Sequence, residues 1–209
     1  RAFCLLWGVN YYALFQQQSG IYARSCTVEE LEAVTADFAR QLAQAADNVQ
    51  RDENGCFAVS RQEIFAAATS VYAPSYEEFP CLRVKDHTPK AISCSTVLSA
   101  MDFTAHFPFT GEANLNVDCP ASFLPSTIVH EMAHQRGIAS EQECNFIAIA
   151  VSLASGDPVY RYSGLLMGYV HLGNADRADP DRWQVIRDTL PDTVVADLRQ
   201  NSAYWAAFE

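Results

Sequence analysis

Lysine is almost absent from this chain: Lys85 and Lys90 are the only two, and arginine supplies the rest of the positive charge. Fourteen basic side chains against 25 acidic ones leave a net charge of -11 over 209 residues. Such a chain is repelled by a phosphate backbone, and no basic stripe offsets the repulsion. Nucleic acid is excluded as a partner, and so is electrostatic docking to an anionic lipid surface. Long apolar runs are missing too. The run at residues 2–9 falls well short of the roughly 20 residues that cross a bilayer, so residues 1–15 read as a first buried element or as the tail of an upstream anchor. No Cys-x-x-Cys pair occurs, which does not suit a cysteine-rich zinc site. Internal repeats, low-complexity tracts and linkers are also lacking, and one domain over 1–209 is expected.

Apolar residues make up 49% and charged residues 19%, enough for a sizeable core and incompatible with intrinsic disorder. The seven cysteines, Cys4, Cys26, Cys56, Cys81, Cys94, Cys119 and Cys144, are spread almost evenly. That spacing fits disulfides in an oxidising compartment, with at least one thiol left over. Cys81–Cys94 is a plausible bridge. Cys144 is the candidate free thiol, because it sits in an apolar helical run where a thiol packs like a small hydrophobe.

The pattern predicts an α+β, predominantly helical chain with a small β-sheet. Thr27 to Glu30 and Ser60 to Glu63 have the capping-box form, opening helices over about 28–49 and from 61 toward 71. Residues 73–90 carry Pro, Ser and charge without periodicity and read as a surface excursion able to act as a lid. Short strands are expected near 91–97 and 113–117. Ser126 is read as the cap of a helix ending at Gly137, and Ser140 as the cap of the next, whose body 146–153 is apolar on every face. Helices over 158–172, 180–190 and from 192 onward complete the chain.

The chemistry concentrates in His130-Glu131-Met132-Ala133-His134, an H-E-x-x-H inside a helical segment. Two histidines four apart share one face and reach one Zn²⁺, while the glutamate beside the first can take a proton from water at the metal. A catalytic zinc needs a third protein ligand. The longer metzincin pattern fails at Ser140, which leaves Glu141 or Glu143. Glu143 is preferred, since it heads the inward stripe of an apolar helix where a carboxylate is costly unless paired or coordinated; the competing role is to close a capping box with Ser140. For the developing oxyanion, Tyr160, Arg161, Tyr162 and His171 lie in the following helix, and Tyr162 is taken as the donor. Glu112, Asn114 and Asn116 sit on a strand whose edge could pair with an extended peptide. His87 and His106 are given no role.

Four blocks carry a resemblance: Trp7 to Tyr12, Phe107 to Asn114, His130 to Phe146, and Tyr160 to Gly164. They resemble a bacterial family catalogued as domain of unknown function 3810, which looks like a membrane-anchored, gluzincin-type metallopeptidase. The resemblance implies a zincin-like domain lying outside the cytoplasm at the cell surface, held by transmembrane helices upstream of Arg1, with a peptide or protein as substrate. The E-x-N pattern of gluzincins falls on Glu143, with Cys144 in place of the usual small residue, so a thiol stands beside a ligand. Eight residues separate His134 from Glu143, a shorter connection than in better-known gluzincins.

Overall fold

The capping signals at Thr27 and Ser60 organise the first half of the molecule. The computed structural model describes residues 14–92, 105–107, 112–175 and 180–207. A short helix α1 (Phe15–Ser19) leads to α2 (Val28–Ala46), whose Thr27 hydroxyl accepts from the Glu30 N–H while the Glu30 carboxylate accepts from the Thr27 N–H. Ser60 and Glu63 repeat the same exchange at the start of α3 (Arg61–Ala67). Each box satisfies backbone donors that the first helical turn leaves without partners.

The segment 73–90 keeps most of its side chains at the surface, as its composition suggested, but it is anchored rather than loose. Two 3₁₀ turns, Ala73–Tyr76 and Pro80–Leu82, fold it inward, and Tyr72, Phe79 and Leu82 are buried. Proline at the head of each turn and aromatic anchors replace helical periodicity, which is why the period test missed it.

Three short strands follow: β1 (Lys90–Ile92), β2 (Ala105–Phe107) and β3 (Glu112–Asn116). Their order is β1-β3-β2, with β3 parallel to β1 (Ala91 opposite Leu115) and antiparallel to β2 (His106 opposite Ala113). β3 is therefore the middle strand. β1 pairs with its residues 114–116 and β2 with its residues 112–114, so residues 112–116 are not the edge strand expected for docking a peptide.

The C-terminal half is helical: α4 (Leu124–Gln135), α5 (Glu141–Ala154), α6 (Pro158–Ala175), α7 (Pro180–Arg187) and α8 (Asp192–Ala206). The sheet packs on α4, and α4, α5 and α2 pack around α6. The core runs through Leu42, Leu115, Ile128, Met132, Ile147, Tyr160 and Leu165, all essentially inaccessible. The chain is thus α+β and predominantly helical. α4 begins at Leu124 rather than after Ser126. The Ser126 N–H bonds the Ser163 hydroxyl, and its own hydroxyl donates to the Phe123 carbonyl. α5 is not apolar-buried all round, because Phe146 is 43% exposed. No described helix is long and apolar enough to cross a membrane.

Candidate metal centre

His130 and His134 stand on the last turns of α4, on the same face, with ring centroids 4.9 Å apart. Gly137, at φ +82°, ends this run: its N–H bonds the His134 carbonyl and its left-handed backbone turns the chain toward α5. Ser140 caps α5, accepting from the Glu143 N–H at 3.4 Å.

That turn brings Glu141 back over the histidines. Its Oε2 lies 3.0 Å from His130 Nε2, and its Oε1 lies 3.4 Å from His134 Nε2. Two donors each about 2.1 Å from one tetrahedral ion lie about 3.4 Å apart, so each histidine stands at about that separation from the Glu141 carboxylate. The other edge of His134 is held from within: its Nδ1 is 2.8 Å from the Ile138 carbonyl. A carbonyl only accepts, so Nδ1 carries a proton and Nε2 is the nitrogen left to face Glu141.

Glu143 is buried, as its inward position predicted, but it does not face the histidines. Its Oε2 accepts the Phe15 N–H and its Oε1 the Gln16 N–H, each at 3.1 Å. Glu141, not Glu143, is therefore the glutamate in contact with the histidines. Positions two apart on a helix point about 200° away from each other, and Glu143 fastens α1 while Glu141 meets α4. It does not complete a capping box with Ser140 either, since its carboxylate is taken by α1.

Cys144 is buried beside His134, with Sγ 3.4 Å from Nδ1 and 3.5 Å from the Ile138 carbonyl. Donor atoms of His130, His134 and Cys144 all lie within 4.8 Å of one another, a set that could hold a metal. The sequence placed this thiol beside the site, but gave it no donor role. Burial pushes the Cys144 thiol up, against the pull of His134. Cys144 is a free thiol, as expected; Cys26, Cys56, Cys81 and Cys119 are free as well, against the expected disulfides, while Cys4 and Cys94, the expected partner of Cys81, lie outside the described residues.

Glu131 is 1% exposed, next to His130 in sequence. Tyr162, the expected oxyanion donor, is elsewhere. Its hydroxyl donates to Asp197, and its ring stacks on Phe57 at 5.9 Å under the Arg51 guanidinium. Tyr160 donates to the Ile64 carbonyl and Arg161 to Gln41. His171 is the member of that group in electrostatic reach of the histidines. Burial, then the neighbouring His130, hold it below the ordinary imidazole value.

Arg136 braces the motif from behind. Its guanidinium lies 3.4 Å over the Tyr72 ring, pairs with Asp86, and donates to the Leu82 and Met132 carbonyls at 2.9 Å. It ties 82–86 to the end of α4, so the segment that composition cast as a lid is fixed to the motif helix. No curated protein and no solved structure matches the chain. The family model described as protein of unknown function (DUF3810) matches residues 1–209, and the chain belongs to that family.

Proposed function

We propose that this chain is a zinc-dependent peptidase of zincin-like type, with His130, His134 and Glu141 holding the metal. The observation that carries the reading is the convergence of both Nε2 atoms on one carboxylate, with His134 Nδ1 tied to a backbone carbonyl. Two imidazoles and a carboxylate leave a fourth position open, as a catalytic zinc requires. When bound there, zinc would supply Lewis acidity, polarising a scissile carbonyl and lowering the pKa of water to about 7.

The chain's own groups do the proton work. Glu131 takes a proton from the attacking water and passes it to the leaving amine; its burial keeps the carboxylate out of bulk solvent. Ile138 fixes the tautomer of His134. Glu131→Gln is expected to keep the metal and to lower peptide hydrolysis by about 10²–10⁴-fold. Unchanged turnover of a peptide library by this variant would remove Glu131 from the mechanism. The same reading puts the domain at the extracytoplasmic face of a bacterial membrane, with a peptide or protein as substrate.

A second reading is favoured by the His130–His134–Cys144 set: a structural metal in a closed site, within a sensor or partner-binding domain. Cys144→Ala separates the two. Metal content survives it under the peptidase reading and is lost under the structural one, as inductively coupled plasma analysis would show.

A further inference from the structure

A cavity of about 380 Å³ opens between α6, α7 and α8, lined among others by Tyr169, Trp183, Arg187, Val195, Leu198 and Arg199. Its apolar wall is rigid. The Trp183 ring stacks on Tyr169 at 5.0 Å and lies so close to Gly173 that a Cβ there would sit 2.2 Å from the indole.

Neither Arg187 nor Arg199 forms an ion pair among the described residues, although the chain carries an excess of acid. The carboxylates nearest in sequence are engaged elsewhere: Asp188 accepts from Gln184 at 2.6 Å, and Asp197 from Arg51. Tyr169 is 1% exposed, yet its buried hydroxyl has no hydrogen-bond partner among the described residues. Burial pushes that hydroxyl up to about 12, while the charge of Arg187, which lines the same cavity, pulls the other way. Orphaned buried polar groups are rare in native proteins and point to a missing partner. The phenol O–H is a donor without its acceptor, and the two exposed guanidiniums that line the same cavity are donors of positive charge, so an acceptor that carries negative charge fits it.

We propose that this cavity binds a small organic anion, a carboxylate or phosphate carried on a flat apolar body. The anion sits between Arg187 and Arg199 and accepts from Tyr169, while the body packs on Trp183, Val195 and Leu198. The volume is at the small-ligand end of binding pockets. The site is independent of the metal centre and stands whether or not the peptidase reading holds.

Isothermal titration of the full chain with 2-naphthoate, 2-naphthyl phosphate, neutral 2-naphthamide and inorganic phosphate tests it. One or both naphthyl anions are expected to bind, and the stronger identifies the head group. The amide, lacking charge, is expected to bind about tenfold more weakly or less, and inorganic phosphate likewise for want of the apolar body. Arg187→Gln and Arg199→Gln each weaken the anion by about tenfold, and Tyr169→Phe by severalfold. Both arginines are exposed and stand on different helices, so unchanged thermal midpoints of these variants establish that the fold is intact. Equal affinity for amide and acid, binding indifferent to both arginine substitutions, or no heat from either naphthyl anion overturns the proposal.

Discussion

Glu141 and Glu143 are two positions apart and do unrelated work. The sequence read the burial of each correctly: Glu143 is buried and the Glu141 side chain is 72% exposed. It could not tell which buried surroundings Glu143 would meet, because α1 arrives from 128 residues away. Hydrogen bonds from His130 and then His134 hold the Glu141 carboxyl well below the usual carboxylate range. Burial pulls His134 down, but Cys144 and Glu141 outweigh it and leave the imidazole raised. In metal-free protein the Glu141 contribution to stability is present above its ordinary value of 4.5 and fades as pH falls through the lowered folded value. The His134 contribution is complete below its ordinary 6.5 and fades as pH rises through the raised folded value. Chelator-treated protein is therefore expected to exceed Glu141→Gln in thermal midpoint most between pH 4.5 and 6.5. Metal uptake displaces protons, so metal affinity should instead rise with pH. At neutral pH Glu141→Gln lowers that affinity by at least about tenfold. Glu143→Gln leaves it unchanged and instead loosens α1, by about 1–3 kcal/mol of stability. A competition titration with a zinc-sensitive dye reads both; equal losses from the two variants would restore Glu143 as a ligand.

Helix starts were legible where the signal is local and illegible where a distant residue decides. Thr27 and Ser60 carry their boxes within four residues, and both formed as read. Ser126 looks like a cap in isolation, but the Ser163 hydroxyl takes its N–H and α4 begins two residues earlier. The middle place of β3 is likewise set by β1 and β2, which lie on either side of it. The packing of α6 was not legible at all, for it depends on what its glycines face. A Cβ on Gly164 would stand 2.5 Å from the Ser152 Cβ on α5, and one on Gly168 would stand 2.3 Å from the Phe38 ring on α2. Gly164→Ala forces two helices apart, since a Cβ cannot swing away, and is expected to destabilise by about 1–3 kcal/mol. Gly168→Ala meets a ring that can rotate, so its cost falls toward the lower end of that range. Urea denaturation of both variants checks the order; a Gly164→Ala protein as stable as the parent would mean that α5 and α6 are not in close contact.

Two buried arginines hold the extremities of the molecule to its core. Arg136 joins 82–86 to α4, and Arg51 joins the turn before Phe57 to α8. Neither link follows from periodicity or composition, because each pairs a single arginine with a carboxylate far away in sequence or in an irregular segment. The Arg51 link is the one whose loss the whole fold should feel. Asp197 is inaccessible to solvent and accepts from three donors: Arg51 at 2.6 Å, the Phe57 N–H at 2.8 Å and the Tyr162 hydroxyl. Asp197→Ala leaves a guanidinium only 15% exposed, a phenol and a backbone N–H without their acceptor. Breaking one side of a buried pair costs about 3–5 kcal/mol, a large share of the roughly 5–15 kcal/mol that holds a domain together. Asp197→Asn combined with Arg51→Met keeps an acceptor for Phe57 and removes the stranded charge, so the double variant should recover most of the loss. Equilibrium urea unfolding of parent, single and double variants measures the difference. A loss below about 1 kcal/mol for Asp197→Ala is the size of an exposed surface pair, and would mean that water reaches Arg51 and that α8 is held by its apolar face, through Val194, rather than by this charge.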